Sequence, residues 1–267
     1  TSPAKNQLAM DPDGAWNSCV ARDCNLMTPA VGGFWSGIVP RALSIYLPRW
    51  PIRIVERRRL RAAMTARSTG SDPHEKPVVV LVSLREGKQL VAVACEKAEE
   101  AGVRAGMTLA HAGSLLANRP VLVQPFTPDV DAANLTKLAH WATRFSPVVA
   151  VDQPDGLLLD IAGCEHLFGG EEPLAERIAS SLEQLGFPCR LGVAPTFACA
   201  HAVARYGNQH IDYVSRDRVH VALAPLPVAA LQVEQTVCEA LNEVAVEKIG
   251  QLYPIPREEL ASRFGHE

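Results

Sequence analysis

The sequence predicts an α/β (α+β) fold: a ferredoxin-like βαββαβ core, interrupted by a small α/β insertion and followed by a short helical region. Three observations predict it. Val148–Asp152 and residues 157–161 are apolar runs on either side of Gln153-Pro154-Asp155-Gly156. Proline presets φ for a turn position and glycine accepts positive φ, so this reads as a β-hairpin. Leu174, Ile178, Leu182 and Leu185 recur at steps of four, four and three, one face of a helix. A strand over 42–47 and another over 190–194 then complete the βαββαβ order once residues between 61 and 125 are set aside.

Composition narrows the class. A chain of 267 residues suits one large domain or two to three small ones, and 48% apolar content supports a core. No apolar run approaches the roughly 18 residues of a membrane span, and no basic segment followed by an apolar block marks a signal peptide. A net charge of −3 argues against a uniformly basic coat but leaves room for a local basic face. The seven cysteines are scattered, and the pair Cys19/Cys24 has no second pair at zinc-like spacing. We read them as small apolar packers in a reduced, cytoplasmic protein. The chain starts at Thr1 and stops at Glu267 just after a helical pattern, which reads as a fragment.

Taken in order, residues 1–40 carry Pro, Gly, Asn and Asp without periodicity and read as a poorly ordered extension, with Phe34 and Trp35 as a lone aromatic pair. The strand over 42–47 lies between Pro40 and Pro48. The basic run Arg53, Arg57, Arg58, Arg59, Arg61 and Arg67 reads either as a solvated helical face or as a phosphate track. Strands over 77–83 and 89–94 are joined through Arg85-Glu86-Gly87-Lys88, and short helices follow over 96–101 and 109–116. A helix over 131–145 presents Leu135, Leu138, Ala142 and Phe145 on one face, and the second core helix runs over 172–185. Thr196 is placed to cap a helix after the strand at 190–194. Beyond residue 226, helices over 233–244 and 256–264 flank Val246-Glu247-Lys248-Ile249-Gly250-Gln251-Leu252. That apolar-Gly-apolar turn reads either as a helix-hairpin-helix, whose amides bind a phosphate, or as an ordinary helical corner.

Four motifs in register carry a family likeness. Ser146-Pro147, Leu159-Asp160-Ile161-Ala162-Gly163 and Gly192-Val193-Ala194-Pro195 resemble the palm of Y-family (UmuC-type) translesion DNA polymerases. Gly102-Val103-Arg104-Ala105-Gly106-Met107 resembles their fingers signature, and the last forty residues resemble their thumb. The resemblance implies a first palm strand over 41–60, a fingers-like insertion over 61–125, palm over 126–225 and a helix-hairpin-helix thumb over 226–267.

Active members of that family hold two divalent metals with acids on the first palm strand and an Asp-Glu pair in the hairpin. Paired hard cations need several carboxylates. Here the first-strand acid aligns near Ile45 and its neighbour near Leu47, and no Asp or Glu occurs between Asp23 and Glu56. The Asp-Glu pair becomes Asp155-Gly156, so Asp155 reads as vestigial and no metal site or cofactor is expected. The family's nucleotide-holding Tyr and Arg align with Glu96 and Glu99, which would repel a triphosphate, and two lysines align with Phe197 and His201.

Leu47-Pro48-Arg49, Pro154-Asp155-Gly156-Leu157 and Gly163-Cys164-Glu165-His166-Leu167-Phe168-Gly169-Gly170 resemble the inactive, ImuB-like branch of bacterial mutagenesis cassettes. That resemblance implies a non-catalytic DNA-binding adaptor in damage-induced (SOS) translesion synthesis. It also implies partners: template-primer DNA, an error-prone replicative-type polymerase, a RecA-like accessory protein and the sliding clamp, and no membrane. The expected DNA contacts are Lys248, Ile249 and Gly250, assisted by Arg257 and Arg263. The competing reading is an active error-prone translesion polymerase using Asp152, Asp155 and Asp160. His166 and His201 read as single histidines without ligand partners, and Asp160 as structural.

Overall fold

Alternation along one short strand, β1 (Ala42–Tyr46), assigns the two faces of the larger sheet. Leu43 and Ile45 are fully buried on one side, in a core shared with Leu157, Leu159, Leu191 and Val193. Ala42 faces the other side, against a cluster of alanines, Cys199 and Val203. The computed structural model describes residues 41–65, 77–256 and 258–260. The expected extension 1–40, with Cys19, Cys24, Phe34 and Trp35, lies outside the described residues, as does Arg67.

After β1 come α1 (Trp50–Thr65), β2 (Val78–Arg85), β3 (Lys88–Ala94), α2 (Glu96–Glu100), α3 (Leu109–Leu115) and β4 (Val121–Pro125). Then follow α4 (Pro128–Ala142), β5 (Val148–Asp152), β6 (Gly156–Asp160), α5 (Glu171–Gln184), β7 (Arg190–Ala194), α6 (Phe197–Tyr206) and β8 (Ile211–Tyr213). The chain continues through α7 (Val219–Leu223) and α8 (Gln235–Glu243), with 3-10 turns at Val228–Leu231 and Ile249–Leu252.

The larger sheet has the order β5-β6-β1-β7-β8. Removing β8 leaves the four strands of βαββαβ in the ferredoxin-like order, with β1 antiparallel to both β6 and β7. The sequence expectation for this core holds, including the hairpin between β5 and β6. Leu135 and Leu138 of α4 and Leu174, Ile178 and Leu182 of α5 pack together over one face. Trp50 fixes the corner: its ring lies 4.9 Å from Phe187 and its indole nitrogen donates to the Asp131 carbonyl at 3.0 Å.

The insertion is a second sheet, β3-β2-β4. The β2–β3 hairpin turns at Glu86 and Gly87, both at positive φ, the backbone that two-residue hairpins favour. Its core is Val78–Val82 with Val91, Ala98, Val103, Ala112 and Leu116, and Ile52 of α1 packs into it. So α1 serves both sheets: Trp50 joins one core and Ile52 the other.

Element boundaries shift modestly. The helix expected over 131–145 is α4, because Pro128 takes the first helical turn, where its missing N–H costs nothing. Two strands have no counterpart in the sequence reading: β4, which pairs parallel to β2, and β8, which pairs parallel to β7 over three residues. Five cysteines among the described residues, 95, 164, 189, 199 and 238, are free and buried, as packing residues would be. No helix among the described residues is long and apolar enough to cross a membrane.

Candidate functional site

The site begins with small residues. On the face of the larger sheet opposite α4 and α5, β1 and β7 offer Ala42, Ser44, Gly192 and Ala194, with Ala42 opposite Ala194 and Ser44 opposite Gly192. In an antiparallel pair, residues directly opposite share a face. These small groups admit α6 close to the strands, and α6 meets them with Cys199, Ala200, Ala202 and Val203, the Ala204 amide lying over Gly192. Thr196 caps α6, its hydroxyl accepting from the Cys199 amide at 3.2 Å, as the sequence predicts.

The next row across that face is Asp152–Gly156–Tyr46–Arg190, in register through β5, β6, β1 and β7. Glycine leaves a gap in this row, and the last turn of α6 fills it with Arg205. The guanidinium donates to Asp155 Oδ1 at 2.6 Å and to Asp152 Oδ2 at 2.9 Å. Its third nitrogen, Nε, donates to His201 Nε2, one helical turn earlier. Its carbon sits 4.7 Å from the centre of the Tyr46 ring, a cation–π arrangement. The side chains of Arg205 and Asp152 are each 14% exposed and that of Asp155 is 21% exposed.

Burial and charge compete here. Burial alone would lower the Arg205 guanidinium, but Asp155 and Asp152 reverse this and hold it above its ordinary value. Burial pushes the Asp155 carboxyl up, and the adjacent Arg205 charge pulls it back. Burial, then the Arg205 charge, drive His201 down to about 4, against the opposing pull of Asp152. His201 is therefore neutral at pH 7, consistent with its accepting a hydrogen bond at Nε2, while its Nδ1 is buried without a partner.

A depressed folded-state value means that the unfolded chain binds the proton first. The contribution of neutral His201 is present above about pH 6.5 and is lost as the pH falls toward 4. Asp155, raised in the folded state, works in the opposite direction on acidification. Urea unfolding of the chain beside His201→Gln isolates the histidine. The stability advantage of the unaltered chain over the variant should shrink by about 2 kcal/mol between about pH 7 and about pH 4.5.

The residues singled out in the sequence distribute unevenly. Asp152 and Asp155 converge, and they converge on Arg205. Asp160 stands apart at the far end of β6, where its carboxylate accepts from the Ala162 amide at 3.0 Å, a structural role as expected. Ile45 and Leu47 are buried in the α4/α5 core, so the β1 side chain presented to the carboxylates is Tyr46. His201 belongs to the cluster and is not isolated.

Glu96 and Glu99 do not stand as free negative charge. Arg49, at positive φ just before α1, bonds Glu99 at 2.5 Å and lies 3.9 Å from Glu96. This ion pair ties the start of α1 to the helix that follows β3. Phe197 packs into the alanine-rich cluster around α6.

The turn at 248–250 differs from a free phosphate cradle. The Ile249 amide donates to the Leu226 carbonyl and the Gly250 amide to the Ala224 carbonyl, each at 2.9 Å. Ile249 is buried. These amides are satisfied within the chain, and the turn packs back on residues 224–226. Lys248 is exposed. Arg257 and Arg263 lie outside the described residues. A valine at Gly250 would press on Ala224 at 3.0–3.3 Å, so Gly250→Val would perturb packing before it reported on any ligand.

Among the described residues, no three His, Cys, Asp or Glu side chains are grouped as metal ligands. Sequence reasoning missed Arg205, Tyr46 and Arg49. One signal for the first was available: an isolated glycine opening a strand marks close approach by another group.

A family profile described as impB/mucB/samB matches residues 61–205, more than half of the chain. The chain belongs to the impB/mucB/samB family. Among curated relatives, Protein ImuB of Caulobacter vibrioides is 40% identical over 138 residues, covering 52% of this chain and 30% of that protein. DNA polymerase IV of Pelotomaculum thermopropionicum is 27% identical over 195 residues, covering 71% of this chain and 48% of that protein. The chain thus spans less than half the length of either. In fold it is similar to a post-insertion binary complex of Dbh DNA polymerase, with a TM-score of 0.65 at 18% identity, covering 84% of this chain and 63% of that one. DinB from Sulfolobus solfataricus gives a TM-score of 0.63 at 18% identity, covering 85% and 63%. The fold is that of the Y-family polymerase palm with its fingers-like insertion.

Proposed function

We propose that this chain is the polymerase-like body of a non-catalytic DNA-binding adaptor in damage-induced translesion synthesis. One observation carries the reading: Arg205 is bonded to Asp152 and Asp155 beside a glycine, where a two-metal centre needs several free carboxylates. The β1 position that faces the two carboxylates holds Tyr46 and no acid, while Ile45 and Leu47 on either side of it turn into the core. The Arg49–Glu99 pair supports the same reading, because it occupies the groups aligned with the triphosphate clamp. The 40% identity to Protein ImuB supports the adaptor branch, and with it a role beside an error-prone replicative-type polymerase, a RecA-like accessory protein and the sliding clamp. The likeness to DNA polymerase IV favours the second reading, a working error-prone polymerase.

DNA contact in this proposal is electrostatic and directed to the backbone. We take Lys248, an exposed residue, as its contact, with Arg257 and Arg263 assisting. Primer extension on a template-primer duplex with Mn²⁺, run beside a binding titration on the same DNA, separates the two readings. Binding without extension is expected. Lys248→Ala should weaken binding a few-fold for all sequences alike and lower the salt slope by about one. Extension that disappears in Asp155→Ala would make the chain an enzyme, and binding indifferent to Lys248 would remove that contact.

A further inference from the structure

The place where Asp152 and Asp155 would hold a cation is occupied by a cation of the chain itself. Each carboxylate gives an oxygen to the guanidinium, at 2.9 and 2.6 Å. The sheet is built to admit it. A Cβ at Gly156 would stand 2.8 Å from Asp152 Oδ2, 3.0 Å from Arg205 Nη2 and 3.0 Å from the Ile45 carbonyl oxygen. Any side chain at position 156 would therefore crowd the Arg205 guanidinium and the Asp152 carboxylate where they now stand. The arginine is also held from its own helix by His201 and from β1 by the Tyr46 ring. Four elements, β1, β5, the hairpin turn and α6, thus converge on one positive charge.

We infer that Arg205 is a resident cation, taking permanently the place that Asp152 and Asp155 would otherwise offer to a hard divalent ion. This inference rests on the non-catalytic reading and deepens it, giving the physical reason why the fold keeps two carboxylates together without metal. Two like charges this close are stable only with a counter-charge between them. A guanidinium supplies it at fixed geometry through two separate N–H donors. It also takes one oxygen of each carboxylate and sets a positive charge where Mg²⁺ or Mn²⁺ would have to approach, and such ions bind through one or two carboxylates plus water.

The test uses Mn²⁺ and Tb³⁺ as probes on the 267-residue chain. The unaltered chain should show no Mn²⁺-dependent rise in melting temperature and no saturable Tb³⁺ emission. Arg205→Ala should gain both, with at least tenfold tighter Tb³⁺ binding than the unaltered chain. Adding Asp155→Asn to that variant should abolish the gain. Tyr46 serves as the sensitiser, because its ring faces the vacated place; Tyr46→Phe in the Arg205→Ala background should lower the emission and leave the thermal shift.

Should Arg205→Ala not fold alone, it is refolded with and without Mn²⁺, beside the neutral triple variant Asp152→Asn/Asp155→Asn/Arg205→Leu. Recovery of the native circular dichroism only with Mn²⁺ supports the inference. Failure to recover in Mn²⁺, or a folded Arg205→Ala without a cation response, overturns it. So does Tb³⁺ binding by the unaltered chain that depends on Asp155. Primer extension by the unaltered chain would sink the non-catalytic reading instead, and is scored separately from these cation measurements.

Discussion

Gly192→Val is expected to destabilise the chain by about 3 kcal/mol or more. Gly192 lies in β7, between β1 and β8, directly under α6. A Cβ there would fall 2.2 Å from the Ala200 carbonyl oxygen, 2.7 Å from a Val203 methyl and 2.8 Å from the Ala204 amide nitrogen. Two of those three are backbone atoms of a helix and cannot rotate aside. Overpacking a core costs about 1–3 kcal/mol when side chains can adjust. Here the helix must lift from the sheet, so about 3 kcal/mol or more is expected, a large share of the stability of an ordinary domain. The lift would also draw Arg205 away from Asp152 and Asp155. Urea unfolding by circular dichroism measures the effect. A variant with the midpoint of the unaltered chain would show that α6 does not depend on this close approach. Gly192→Ala tests the same contact with the smallest possible side chain and should fall between the two.

That contact shows what was legible in the sequence and what was not. The βαββαβ order was readable because its signals are local: Pro154 and Gly156 in a hairpin, leucines at helical spacing in α5, Thr196 before α6. The inner face of β1 was readable for the same reason, since alternation puts Leu43 and Ile45 on one side. The site was legible only as an absence of acids, read at Ile45, Leu47 and Gly156, and the first-strand position that faces it is Tyr46, between the first two. What fills those absences comes from elsewhere in the chain. Arg205 lies 50 residues beyond Asp155, and Glu99 lies 50 residues beyond Arg49. No short-range period encodes such pairs; register between strands and the approach of a helix create them. The same limit explains β4 and β8, short strands whose identity depends on the neighbour they pair with rather than on their own pattern. The turn at Lys248–Gly250 is the converse case. Its local pattern fitted either open amides or an ordinary helical corner, and tertiary packing on residues 224–226 takes the amides up.

The second large effect is expected at Arg205→Leu, which keeps apolar bulk and removes the charge. Breaking a buried ion pair by deleting one partner costs about 3–5 kcal/mol, because the partner left behind stays buried and uncompensated. Two carboxylates would be left behind here, in side chains 14% and 21% exposed. Some solvent reaches them, so about 2–4 kcal/mol is expected at pH 7. The cost should not come from lost packing alone, and that is the part worth testing. In the triple variant Asp152→Asn/Asp155→Asn/Arg205→Leu, the stranded charges are gone and most of the loss should be recovered, by the same reasoning that makes neutral replacement of buried ion pairs nearly free. Chemical denaturation of the single and triple variants beside the unaltered chain gives both numbers. A single variant within about 1 kcal/mol of the unaltered chain would mean that the guanidinium does not hold the hairpin to α6. A triple variant no better than the single would put the loss in packing around Tyr46 and His201, and the charge at position 205 would then be a consequence of the fold rather than one of its ties.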